Sequence, residues 1–75
     1  MKILARSFFG VLTSKKPAPK LFEVPEGTTA QDIIDQMRVD ISEGAIILIN
    51  GKPSNEQTVL SEGDELSIFP PVSAA

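Results

Sequence analysis

The residues with the means to do chemistry in this 75-residue chain are ten carboxylates, seven basic side chains and a scatter of hydroxyls, with no histidine and no cysteine. Their absence removes Ser-His and Cys-His nucleophile pairs, the usual zinc ligand sets, and every side chain whose unperturbed pKa lies near neutrality. Catalysis would have to rest on carboxylates, lysines or an oxygen-held metal. Neither Asp32 and Asp35 nor Glu62, Asp64 and Glu65 have the Asp-x-Asp-x-Asp-Gly spacing of a calcium loop. They read as solvated acids, Asp32 alone having a further use at a helix cap. So short a chain also lacks the bulk to enclose a ligand pocket of roughly 300 Å³. The expectation is a non-catalytic protein with no metal site and no cofactor bound by the chain itself.

Charge is distributed unevenly. Residues 1 to 20 include Lys2, Arg6, Lys15, Lys16 and Lys20 and no acid, while the remainder is acidic and brings the net charge to −3. Lys15, Lys16 and Lys20 flank a Pro-Ala-Pro segment and could touch phosphate, but no run of basic residues with stacking aromatics follows. A solvated hairpin loop is the simpler reading, and no nucleic-acid partner is expected. The longest aliphatic run, Ala45 to Ile49, is far short of the roughly 20 residues that span a bilayer. Arg6 interrupts the N-terminal stretch before a signal-peptide apolar region can form. The expectation is a cytoplasmic protein with no membrane partner.

The elements that must position these groups follow from periodicity. Residues 3 to 8 read as a strand with Ile3, Ala5 and Ser7 on one face and Leu4, Arg6 and Phe8 on the other. Ser14 to Pro19 is a breaker-rich hairpin connection, and Lys20 to Val24 a second strand ended by Pro25-Glu26-Gly27. Thr29 and Asp32 have capping-box spacing, and Ala30, Ile33, Ile34 and Met37 form one helical face. Ala45 to Asn50 reads as a well-buried third strand, Asn50-Gly51 as a type I′ turn, and Lys52 to Ser54 as an edge strand limited by Pro53. A turn at Glu62-Gly63-Asp64 leads into a last strand, 65 to 69, with Leu66 and Ile68 inward and Phe69 outward. The prolines Pro70 and Pro71 cannot donate ladder hydrogen bonds, so residues 70 to 75 should leave the sheet as an extended tail. The chain thus reads as one α+β domain, residues 1 to 75.

Strand, strand, helix, strand, strand, strand, with one main helix across a mixed sheet of about five strands, is the order of the ubiquitin-like β-grasp fold. The segments Glu23-Val24-Pro25-Glu26-Gly27-Thr28-Thr29-Ala30-Gln31-Asp32-Ile33-Ile34, Ile49-Asn50-Gly51, Leu60-Ser61-Glu62-Gly63-Asp64-Glu65-Leu66 and Phe69-Pro70-Pro71-Val72-Ser73 resemble, in order and spacing, the small subunit of molybdopterin synthase. The double proline distinguishes that pattern from the thiamine-pathway relatives of the same fold.

The resemblance implies a sulfur carrier of molybdenum cofactor biosynthesis. Its partners would be an ATP-dependent activating enzyme, which uses ATP and magnesium to adenylate the C-terminal carboxylate, and the large synthase subunit, which receives the tail once that carboxylate has become a thiocarboxylate. On this reading Ala74 and Ala75 form the sulfur-carrier terminus and Pro70, Pro71, Val72 and Ser73 thread the partner's channel. The family ends in Gly-Gly where this chain has Ala74-Ala75, and each added methyl widens the tail and restricts φ. Weaker loading by an enzyme built for Gly-Gly is the expected result, and a β-grasp interaction module that has lost sulfur transfer is the alternative. Phe8 and Phe69 should meet on the sheet face away from the helix and, with Pro53, form the partner interface. That face is also where the resemblance places docking.

Overall fold

The computed structural model describes residues 1–9 and 17–71. The tail positions Val72, Ser73, Ala74 and Ala75, and the Ser14, Lys15 and Lys16 part of the hairpin connection, lie outside the described residues. Five strands and one helix appear in the expected order: β1 (Lys2–Ser7), β2 (Lys20–Glu23), α1 (Ala30–Met37), β3 (Ile46–Ile49), β4 (Lys52–Ser54) and β5 (Glu65–Phe69). The strands form one sheet, ordered β2-β1-β5-β3-β4. β1 and β5 are parallel, and the other three pairings are antiparallel. This is the mixed-sheet β-grasp architecture anticipated from the sequence.

An isolated eight-residue helix is unstable in water, so α1 depends on its caps and its packing. Thr29 Oγ1 accepts from the Asp32 N–H at 3.3 Å and the Asp32 carboxylate accepts from the Thr29 N–H at 3.0 Å, completing the capping box. The segment after β4 supplies the rest, because Ala30 N–H donates to the Thr58 carbonyl and Gln31 N–H to the Glu56 carbonyl. Ala30, Ile33 and Ile34 are fully buried and share one core with Ile3, Ala5, Phe22, Ile47, Ile49, Leu66 and Ile68. Burying an Ile side chain contributes about 1.5–3 kcal/mol, more than one capping bond. Helix position is therefore set chiefly by Ile33 and Ile34, with half-buried Met37 packed at the margin.

The expectation of a well-buried third strand is corrected. Ile47 and Ile49 are buried, but Leu48 is only half-buried and Ile46 is 42% exposed. β3 is covered by the helix on one side only, and its second aliphatic row lies on the open face.

Three acids read as solvated are also engaged, Asp35 accepting from Gln31 Nε2 at 2.8 Å. The Asp64 carboxylate accepts from the Ser61 N–H at 2.7 Å and from Asn50 Nδ2 at 2.9 Å, while Asn50 Oδ1 accepts from the Glu65 N–H at 3.0 Å. Glu62 accepts from the Lys2 N–H at 2.9 Å. Asn50 and Gly51 have φ of 54° and 80°, as a type I′ turn requires. The side chain of Asn50 thus clasps the β3–β4 turn to the entry of β5.

Candidate functional site: the open sheet face and the tail root

β1 and β5 run in the same direction, so their C-terminal ends lie together. Phe8 and Phe69 meet there with ring centroids 4.2 Å apart and planes 9° from parallel. Both rings are half-buried, and Phe8 N–H donates to the Ile68 carbonyl at 2.7 Å, fixing the chain just past β1. Ile46 is the register partner of Phe69 on the other side. A row Ile46–Phe69–Phe8 therefore crosses the end of the sheet from which Pro70 and Pro71 emerge. Both prolines are exposed, and an added Cβ on Gly44 would sit 3.9 Å from the Pro71 side chain, which places the tail root beside the loop entering β3.

A second row on the same face joins Pro53, Leu48, Ser67 and Arg6 in register. Pro53 does face the same side as the aromatic pair, but β3 separates them, and Ile46 and Leu48 fill the interval. A third row pairs Leu21 with Leu4 and Leu4 with Glu65. Leu21 is 54% exposed and Leu4 36%. The sequence indicated Leu4, Arg6 and Phe8 through alternation in β1. It gave no such indication for Ile46 and Leu48, because in an unbroken aliphatic run the inward and outward residues are of the same type.

In the loop between α1 and β3, the Ser42 N–H donates to Asp40 at 2.9 Å, and this backbone bond, aided by the Ser42 hydroxyl, holds the Asp40 carboxyl below its ordinary range. An open depression of about 370 Å³ lined by Met1, Glu26, Leu60, Ser61 and Glu62 lies at the opposite end of the sheet, where β1 begins. It is open to solvent and at the other end of the sheet from Pro70 and Pro71. Among the described residues no group of three acids is arranged to hold a metal ion. Nor is any helix among them long and apolar enough to cross a membrane.

The family model described as the ThiS family matches residues 7–73, from the end of β1 into the tail. The chain belongs to the ThiS family. Small archaeal modifier protein 1 of Haloferax volcanii has the same fold at 22% identity, with a TM-score of 0.70 over 95% of this chain and 98% of that one. A putative molybdopterin converting factor subunit 1 from Pyrococcus furiosus aligns at 23% identity and a TM-score of 0.69, covering 96% and 99% of the two chains. Subunits 1 and 2 of the molybdopterin-converting factor of Helicobacter pylori were solved as a protein-protein complex. The matching chain there is 18% identical, with a TM-score of 0.62 and full coverage of both chains. Identities this low establish the shared fold and no more. No curated protein matches the sequence significantly. In this ThiS-family chain, then, the fold places the stacked aromatics and the apolar rows on one face, with the tail root at the end that the stack marks.

Proposed function

We propose that this ThiS-family protein is a sulfur carrier that acts as the small subunit of a molybdopterin synthase. The observation that carries the reading is the placement of the tail root. β5 delivers Pro70 and Pro71 at the edge of an exposed apolar face headed by the Phe8–Phe69 stack, so one partner surface can hold the face while a channel receives the tail. The solved two-subunit complex of the Helicobacter pylori converting factor supports a second subunit as that partner.

The chemistry proceeds on the C-terminal carboxylate and needs no catalytic side chain from the carrier. A carboxylate oxygen attacks the α-phosphorus of ATP and pyrophosphate leaves; hydrosulfide released by a sulfur donor then attacks the acyl carbon, AMP leaves as the acyl C–O bond breaks, and loss of the S–H proton gives the thiocarboxylate. ATP and magnesium serve the activating enzyme, so the carrier itself holds neither. Paired prolines keep residues 70 and 71 extended before binding, which lowers the entropy lost on threading. Val72 and Ser73 continue the threaded segment and Ala74 and Ala75 carry the reacting end.

The test mixes the protein with an activating enzyme, ATP and a sulfur donor and follows replacement of one oxygen by sulfur in the intact mass. The Ala74→Gly/Ala75→Gly variant is expected to load faster than the parent chain. Failure of both chains to load or to bind any large subunit would overturn the proposal. The exposed apolar residues of the open face, which could hold a partner without any tail chemistry, favour one second reading, a β-grasp interaction module without sulfur transfer. For that reading, deletion of residues 74 and 75 leaves partner affinity unchanged.

A further inference from the structure

Arg6 lies on β1, the second strand from one edge, in the row of the open face between those of Leu4 and Phe8. Leu4 and Phe8 border it along its own strand, Ser67 is its direct register partner on β5, and Phe69 and Glu65 occupy the diagonal positions. The row through Arg6 continues across Ser67 and Leu48 to Pro53. The other charges on this face are peripheral. Lys2 and Glu23 oppose each other in register at one corner, and Glu65 is exposed in the outer row beside Leu4. Arg6 itself is already half-buried in the free chain.

A protein that covers this face removes water from the guanidinium. An arginine has five donors, cannot lose its proton, and is costly to bury without a partner. On this face Ser67 offers a single hydroxyl and the diagonal Glu65, exposed at the start of β5, a carboxylate, while Leu4, Phe8 and Leu48 offer no acceptor. One diagonal carboxylate leaves donors of the five-donor guanidinium unmatched, and a carboxylate from the other side accepting two parallel N–H bonds supplies the planar geometry they need. Arginine is also among the residues that dominate binding energy when placed centrally within an apolar ring.

We propose that Arg6 is the charged anchor of the docking face and that the protein covering it presents an Asp or Glu carboxylate opposite. The inference rests on the docking reading above and adds the chemistry that selects the partner. A protein with the same apolar contour but a neutral or basic group at that point is rejected, because it leaves the buried guanidinium with unmatched donors.

The experiment measures affinity of the full chain for the large synthase subunit by titration calorimetry, using the parent chain, Arg6→Met and Arg6→Glu, with thermal melts of each as a check on folding. The methionine keeps apolar contact and removes the charge. Binding is expected to weaken at least about 30-fold for Arg6→Met, the range for truncating one member of a buried charge pair, and further for Arg6→Glu. A lysine in place of the opposing acid should restore binding by Arg6→Glu. If the parent binds and Arg6→Met binds equally tightly, or Arg6→Glu is no weaker than Arg6→Met, the anchor is refuted while the carrier reading stands. If the parent does not bind, the carrier reading fails and takes the anchor with it.

Discussion

Replacing Asn50 separates two contributions that act at one residue. Its side chain makes hydrogen bonds of 2.9 Å to Asp64 and 3.0 Å to the Glu65 N–H, and its backbone sits at φ 54°, where most side chains are strained. Both bonds are exposed, so water takes up the freed groups and the lower end of the usual range applies, about 0.5–1 kcal/mol each. In Asn50→Gly those bonds go but the positive φ becomes unstrained, recovering about 0.5 kcal/mol because Asn already tolerates that region, so the net loss is about 0.5–1.5 kcal/mol. In Asn50→Ala the bonds go and the strain grows by about 1 kcal/mol, for a loss of about 2–3 kcal/mol. Against a total of about 4–11 kcal/mol for a chain of this size, both variants remain folded. With no tryptophan or tyrosine, urea unfolding is followed by far-ultraviolet circular dichroism. Asn50→Gly should fall between the parent and Asn50→Ala. A glycine variant as stable as the parent would show that the clasp adds nothing, and an alanine variant equal to glycine would show that φ is unimportant.

Other expectations concern the end of the molecule from which the tail emerges. Arg38 caps α1 at φ 58°, so Arg38→Gly should raise stability by a few tenths to about 1 kcal/mol even after loss of the charge at the helix C-terminus; a lower melting temperature would refute this. The Phe8–Phe69 stack should show a coupling of about 0.5–1.5 kcal/mol in a double-alanine unfolding cycle, and additive single losses would contradict it. Asp40 should titrate below ordinary aspartates by nuclear magnetic resonance, and mostly retain that shift in Ser42→Ala, because the larger cause is the Ser42 backbone N–H. With its folded pKa below the unfolded one, the bond's stabilisation is present above the unfolded value and disappears as pH falls through the folded value. A return to the ordinary range in Ser42→Ala would assign the effect to the hydroxyl instead.

The sequence by itself determined whatever depends on neighbours within one turn or one strand. Thr29 and Asp32 are three residues apart and could be read as a cap because that geometry is local, and Asn50-Gly51 announced its turn for the same reason. Alternation in β1 and β5 sufficed to put Phe8 and Phe69 outward, and the missing histidine and cysteine limited the chemistry without any coordinates. The tertiary structure alone decided which side of β3 is left open, because the run Ile46-Ile47-Leu48-Ile49 is apolar at every position and only the helix, lying on Ile47 and Ile49, distinguishes its faces. It also joined Asn50 to Asp64 across 14 residues, since such a bond exists only when β3 and β5 are adjacent. The surroundings of Arg6 have the same origin. Its strand shows which way it points, but only the order β2-β1-β5-β3-β4 sets it between the Leu4 and Phe8 rows and in register with Ser67 and Leu48.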